Sequence, residues 1–124
     1  MKVDLPYGEV ADRITICRIK TRRLSSPAKR AAAEDWLQTL TAAWTNSGLP
    51  DLDGLVEVAA LETLNGELWE VEDALRAAEA RGDFGAEFIA LARSVYRLND
   101  RRAALKTQVD KRLGSPLTDV KGHI

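Results

Sequence analysis

Residues 55–113 carry the clearest structural pattern of the chain and read LVEVAALETLNGELWEVEDALRAAEARGDFGAEFIALARSVYRLNDRRAALKTQVDKRL. Apolar side chains recur here every three or four residues, which is the spacing of one face of an α-helix. They are Leu55, Val58, Leu61, Leu64, Leu68, Val71, Leu75 and Ala78, and then Phe88, Leu91, Ala92, Val95, Leu98, Leu105, Val109 and Leu113. Gly82-Asp83-Phe84-Gly85 separates the two series. The pattern therefore predicts helices over 53–81 and 85–113 that form an antiparallel hairpin.

Two shorter helices are predicted before the hairpin. Val10, Ile14 and Cys17 give the helical spacing over 9–24, although the isoleucines of this segment also fit the alternation of a strand. Ser26 can cap a second helix over 27–47, with Pro27 at its first position. Residues 1–8 are predicted to be an extended arm, and 114–124 a tail. We expect one all-α domain spanning 1–124, a four-helix antiparallel arrangement.

The composition excludes several functions. Eighteen Lys and Arg residues against nineteen Asp and Glu residues give a net charge of −1, so no nucleic-acid partner is predicted. One cysteine and one histidine predict neither a disulfide nor a Cys/His metal site. The chain has no apolar run of about 20 residues and no signal-peptide core, so we expect no membrane partner and a cytoplasmic location.

Self-association is predicted from the unequal helix lengths. The two later helices should each be roughly 40 Å long, at 1.5 Å per residue. The two earlier helices are too short to cover such a hairpin along its full length. The uncovered end needs a partner, and the simplest one is a second copy, so we expect a homodimer.

An acidic segment stands in the third predicted helix. Glu67, Glu70, Glu72 and Asp73 offer four carboxylates within two turns, and paired carboxylates hold divalent ions or transfer protons. The Glu67–Glu70 spacing resembles the first half of the metal motif of all-helical nucleotide pyrophosphatases. The second half, an acid pair on the next helix, is missing, and no metal or other cofactor is predicted.

Arg102 interrupts the apolar series of the fourth helix, between Leu98 and Leu105. A buried arginine needs a partner, since an unpaired buried charge is very costly. One interpretation pairs Arg102 with Glu67, Glu72 or Asp73 to fix the register of the hairpin. The other places arginines in an inter-helix pocket for a carboxylate or phosphate; its candidate residues are Arg93, Arg97, Asn99 and Arg102.

The aromatic residues allow packing and ligand binding alike. Trp36 and Trp44 lie on one helix face, which favours a core or dimer interface. Trp69 stands beside the acidic segment and is a candidate ligand platform. Tyr7 and Tyr96 can each donate a proton or anchor a hydrogen bond, and the sequence does not separate these roles from packing.

Two stretches resemble a bacterial family of short helical proteins known as a domain of unknown function. The first is the segment from Leu5 to Lys20, where the family has a Gly-Glu-Leu-Ile-Asp-Lys-Ile-Thr-Ile-Leu-Glu-Ile-Lys pattern. Arg18 stands where a glutamate is common. The second covers 68–73 with 82–85 and 91–106. Because members often lie near surface-polysaccharide and glycosyltransferase genes, the resemblance implies carbohydrate-linked metabolism. It implies no established activity or catalytic residue.

The sequence leads to two principal hypotheses. The first is a dimeric helical module with a polar inter-helix cleft for an anionic small molecule or a partner. Its candidate binding residues are Tyr7, Glu9, Asp12, Trp69, Asp73, Arg93, Arg97, Asn99 and Arg102. The alternative is a small metal-independent enzyme of the lyase, isomerase or cyclase type. Its arginines would bind the substrate, and Glu70, Glu72 and Tyr96 are its candidate proton-transfer residues.

Overall fold

A computed structural model describes residues 1–123, so Ile124, the end of the predicted tail, lies outside the described residues. The described chain forms four helices: α1 (Tyr7–Arg23), α2 (Pro27–Asn46), α3 (Val56–Arg81) and α4 (Ala86–Leu113), with a 3-10 turn (Leu52–Gly54) before α3. Residues 1–123 contain no strand, and the all-α prediction is confirmed. The strand interpretation of the first segment is wrong, since all three of its isoleucines lie in α1.

The start of α2 and the ends of α3 and α4 have the expected local signals. Ser26 Oγ accepts a hydrogen bond from the Lys29 amide at 3.3 Å, at the start of α2. Gly82 and Gly114 end α3 and α4 with φ of +67° each, a conformation that favours glycine. Helices α3 and α4 start with no side-chain cap, and so does α1, which follows Pro6. The Gly8 amide of α1 donates to Asp110 Oδ1 at 2.7 Å.

The apolar core occupies only one end of the molecule. It is built from the middle of α1, the last turns of α2, the first half of α3 and the end of α4. Helix α2 packs chiefly against α1. Trp44 is buried there, and its indole N–H donates to the Pro50 carbonyl at 2.8 Å. Trp36 is 44% exposed beneath the Arg13 guanidinium, so it lies outside the core of this chain.

Helix α1 crosses the hairpin diagonally. At its start it lies against α4, where Glu9 pairs with Lys106. A Cβ atom at Gly8 would lie 2.1 Å from the Lys106 carbonyl oxygen, so the two helices meet at a contact that only glycine permits. At its end α1 lies against α3, where Arg23 pairs with Glu70. The crossing opens a wedge between α1 and α4.

Beyond the end of α1, no other helix of the described chain packs on the hairpin. We call residues 67–100 the distal hairpin. It carries eleven large apolar or aromatic residues, and only one of them, Leu98, is buried. The ten that remain accessible are Leu68, Trp69, Val71, Leu75, Phe84, Phe88, Ile89, Leu91, Val95 and Tyr96. The core of the protein therefore stops about halfway along the hairpin.

Candidate functional site

A cleft of about 590 Å³ fills the wedge that α1 leaves between itself and the hairpin. Three helices line it with apolar, aromatic and charged side chains. The lining residues are Ile16, Ile19 and Lys20 from α1, Asn65, Leu68, Trp69, Glu72, Asp73 and Arg76 from α3, and Asn99 and Arg102 from α4. An apolar floor with a few polar groups is the usual composition of a small-molecule site.

A buried polar network holds the wall of this cleft. Asp12, on α1, has no solvent exposure. It accepts two hydrogen bonds from Arg102, at 2.9 Å from Nε and 2.5 Å from Nη2. The Asn65 amide bridges Asp12 Oδ1 and Thr15 Oγ1, both at 2.9 Å. The network joins α1, α3 and α4, and it explains how a carboxylate is tolerated in the interior.

The predicted partners of Arg102 are wrong. The sequence suggested Glu67, Glu72 or Asp73 of the neighbouring helix, but the partner is Asp12 of α1. Helix α1 lies in the hairpin groove at this level and brings a buried carboxylate to the guanidinium. Glu67 is 4.0 Å from Arg101 instead, and the carboxylate of Glu72 is 3.6 Å from Arg76.

The ion pair orients Arg102 without using all of its donors. Its Nη1 has no hydrogen-bond partner among residues 1–123, and the side chain, which is 28% exposed, lines both this cleft and a pocket beside Lys106 and Asp119. Hydrogen bonding to Asp12 raises the pKa of Arg102 despite its partial burial, so the guanidinium stays charged. Lys20, across the cleft, forms no ion pair within the described part of the chain. With Arg76, which pairs with Glu72, three cationic groups thus border the cleft.

Five of the predicted site residues line the cleft. They are Trp69, Glu72, Asp73, Asn99 and Arg102. Trp69 is half-buried and contributes an aromatic surface, while Glu72 and Asp73 form an acidic edge on α3. Asp12 lies directly behind the cleft, as the anchor of Arg102. These residues come together at one cleft between α1, α3 and α4.

Two predicted residues on α1 lie outside the cleft. Tyr7 sits at the other end of α1, where its ring meets Trp44 edge to face at 6.4 Å between centroids. Glu9 is held by Lys106 and by Arg13. Burial alone would raise the pKa of Glu9, but hydrogen bonds from Lys106 and Arg13 outweigh it and leave the pKa below 4.5. Both residues contribute to packing at the start of α1.

The three candidate proton-transfer residues are not gathered at one place. Only Glu72 lines the cleft. Glu70 is exposed and hydrogen-bonded to Arg23, and Tyr96 is 53% exposed. The neighbouring Arg97 lowers the pKa of Tyr96, and its guanidinium lies 5.8 Å from the ring.

Arg93 and Arg97 are themselves exposed, on a surface of α4 that does not line the cleft. The predicted arginine pocket therefore keeps only Arg102 from its original three. Helices make one full turn in 3.6 residues, so Arg93 and Arg97 cannot share a face with Arg102 and Asn99.

Sequence reasoning missed three polar cleft residues: Lys20, Asn65 and Arg76. Asn65 had a detectable signal, because it is a polar residue between Leu64 and Leu68 on the apolar stripe of α3. Lys20 is the last residue of the N-terminal segment that resembles the bacterial family, and that resemblance was its only signal. Arg76 gave no signal, since an exposed arginine on a helix is ordinary.

Within residues 1–123, no three His, Cys, Asp or Glu side chains are close enough together to hold a metal ion. No helix in the described chain has the length and apolar character needed to cross a membrane. No protein-family model, curated protein or solved structure matches the chain.

Proposed function

We propose that this chain is a small dimeric helical module that binds an anionic small molecule in the cleft between α1, α3 and α4. The observation that carries the proposal is the arrangement of Arg102. Its guanidinium is fixed by the fully buried Asp12, its Nη1 donors are unused within residues 1–123, and the side chain lines the cleft. A pre-oriented arginine binds a carboxylate or phosphate with less loss of side-chain entropy than a free one.

The other lining residues narrow the class of ligand. Lys20 supplies a second positive charge, and Asn99 supplies an amide that can both donate and accept hydrogen bonds. Trp69 offers an aromatic surface for a ring. These groups suit a molecule that has an anionic group and a flat or ring-shaped part.

Sugar phosphates and nucleotide sugars combine these two features. The resemblance to the bacterial family with neighbouring polysaccharide genes supports the same class. We therefore propose a role in carbohydrate-linked biosynthesis, in the bacterial cytoplasm. The acidic edge formed by Glu72 and Asp73 would accept hydrogen bonds from sugar hydroxyl groups.

A second candidate is a metal-independent lyase, isomerase or cyclase. One observation favours it: Glu72 lines the same cleft as Arg102, so a carboxylate stands near a proposed anion site. In this function Arg102 and Lys20 hold the substrate anion and Glu72 transfers the proton. Tyr96 has no part in it, because it does not line the cleft.

A thermal-shift screen tests the binding proposal. Glucose 1-phosphate, a uridine diphosphate sugar and citrate serve as probes. A ligand at tenfold its Kd stabilises the folded state by roughly 1.4 kcal/mol, which raises the Tm of a chain of this size by about 5 °C. Lys20→Ala should reduce the shift, whereas Lys29→Ala on the exposed surface of α2 should not. Equal shifts in both variants, or none with any probe in the wild type, would refute binding at this cleft.

A further inference from the structure

The charge of the chain is divided between one segment and the rest. Between Asp12 and Glu34 the sequence has seven Lys and Arg residues and no Asp or Glu, so this segment carries +7. The rest, with eleven basic and nineteen acidic residues, carries −8. The segment covers most of α1, the link to α2 and the first turns of α2. The net charge of −1 is therefore the sum of two large opposite charges in separate parts of the chain.

Four of the seven cations have no acidic partner within the described chain. Three are paired with carboxylates, and the other four form no ion pair among residues 1–123. Only three residues link α1 to α2, so these four lie around one turn of the chain. They are Lys20, Arg22, Lys29 and Arg30. We call residues 20–30 the basic corner; Arg22, Lys29 and Arg30 are exposed in it, and Lys20 lines the cleft.

The helix dipole accounts for the cations of α1 but not for those of α2. Lys20, Arg22 and Arg23 stand in the last turn of α1, where the negative partial charge of a helix C-terminus stabilises cations. Lys29 and Arg30 stand near the start of α2, where the partial charge is positive and destabilises a cation. The first turn of α2 has no acidic residue to offset it. Folding therefore gives no reason for these two charges, whereas binding of an anion does.

The surroundings of the basic corner limit the kind of anion that fits. Glu34 and Asp35 are exposed on the next turn of α2, and Glu70 of the distal hairpin lies beside Arg23. A long polyanion such as duplex DNA would run from the corner onto these carboxylates and be repelled. A helix that lies on a bilayer needs exposed large apolar side chains, and Leu24, the only large one in the corner, is partly buried. A short acidic chain meets neither obstacle.

We propose that the basic corner binds a short acidic segment of a partner protein, in which Asp or Glu side chains pair with Arg22, Lys29 and Arg30. Each arginine can hold a carboxylate through two parallel hydrogen bonds, and the lysine acts as a point charge. The bound carboxylates also neutralise the cations at the start of α2. None of the three residues lines the cleft, so the inference does not depend on an anion binding between α1, α3 and α4.

Fluorescence anisotropy with a labelled hexaglutamate peptide tests the inference on the full chain. We expect saturable binding in about 20 mM NaCl with a Kd below about 1 mM. About 0.3 M NaCl should weaken it at least about fivefold, because exposed charges are screened. Arg22→Glu, Lys29→Glu and Arg30→Glu should each weaken it about fivefold, since repulsion replaces an exposed ion pair.

Lys111→Glu is the matched control for these charge reversals. Lys111 is exposed and forms no ion pair among residues 1–123. It follows Asp110, which binds Gly8 at the start of α1, so it lies far from the corner at the end of α1. Its reversal should weaken binding of the peptide less than about twofold, because screening limits the effect of a distant charge.

Thermal unfolding provides a second readout that separates binding from folding. Lys29→Glu and Arg30→Glu should each raise the Tm by roughly 2 °C, because a carboxylate suits a helix N-terminus. Lost binding with a raised Tm excludes unfolding as its cause. A lowered Tm in both variants would show that these cations serve the fold, and it would overturn the inference.

Three binding results would also overturn it. The first is no saturable binding of the peptide, and the second is binding that survives all three reversals, which would place the peptide elsewhere, as in the cleft. The third concerns the class of partner: a DNA duplex of about 20 base pairs, or phosphatidylcholine vesicles with about 30% phosphatidylserine, bound as tightly as the peptide. Failure of the corner leaves the proposed cleft function standing, because that function is tested with Lys20→Ala and different probes.

Discussion

Arg102 Nη2 lies 2.5 Å from Oδ2 of Asp12, a carboxylate with no exposure to solvent. The pair ties the first helix of the chain to the last, and it also fixes the orientation of a guanidinium that lines the cleft. The proposed binding role thus falls on a residue that also holds the fold together.

Arg102→Ala should destabilise the fold by about 3 kcal/mol, because it leaves the Asp12 carboxylate buried with no cation. Urea unfolding followed by circular dichroism measures the change. Arg101→Ala is the matched control, since the Arg101 side chain is 63% exposed and its loss should cost less than about 0.5 kcal/mol. Equal effects of the two substitutions would mean that the buried Arg102–Asp12 pair contributes no more to stability than an exposed arginine does.

Substitution of two glycines by alanine should have opposite effects on the stability of the fold. In Gly8→Ala the new methyl carbon would lie 2.1 Å from the Lys106 carbonyl oxygen, so α1 must move away at a cost of about 3 kcal/mol. In Gly66→Ala nothing lies within 4 Å of the new atom. Alanine is the better helix former, so the second variant should gain up to about 1 kcal/mol. Thermal unfolding of both variants measures the contrast, and a stable Gly8→Ala would contradict the close helix approach.

Glu9 should make stability depend on pH on the acidic side. Its pKa is lowered in the folded state, so its stabilising contribution is present above its unfolded pKa and is lost as pH falls through the folded value. Unfolding from pH 7 to pH 3 should therefore show the gap between wild type and Glu9→Gln shrinking toward acid. Glu34→Gln, an exposed change on α2, should show no such trend. A constant gap across the range would be inconsistent with the Lys106 and Arg13 contacts.

Cys17 should be unreactive in the native state. It is 1% exposed, and burial raises the pKa of its thiol, so both access and thiolate are reduced. Labelling of the Cys17 thiol with a chromogenic disulfide reagent at pH 8 should be at least about 100-fold slower in the native protein than in denaturant. The reason is that the reagent reaches the thiol only when the fold opens. Complete labelling within the mixing time would show that α1 is not packed as described.

The fold was largely predictable from local patterns, because three-to-four apolar spacing and glycine stops are properties of neighbouring residues. The start of α1 was not: its Gly8 amide is capped by Asp110, a partner 102 residues away. The partner of Arg102 escaped prediction for the same reason, since Asp12 meets it only through the tertiary crossing of α1. The cleft itself follows from the angle of that crossing, and periodicity carries no information about angles between helices.

Three tryptophans allow anion binding at the cleft to be measured directly. Trp69 lines the cleft, Trp44 is buried in the core, and Trp36 lies exposed on α2. Their indole N–H signals can be followed by ¹⁵N–¹H NMR while a uridine diphosphate sugar, glucose 1-phosphate or citrate is added. We predict that at least one of these anions shifts the Trp69 signal in a saturable way and leaves those of Trp36 and Trp44 unchanged. A Trp69 signal that stays still with all three, or that moves equally in Lys20→Ala, would contradict anion binding between these helices.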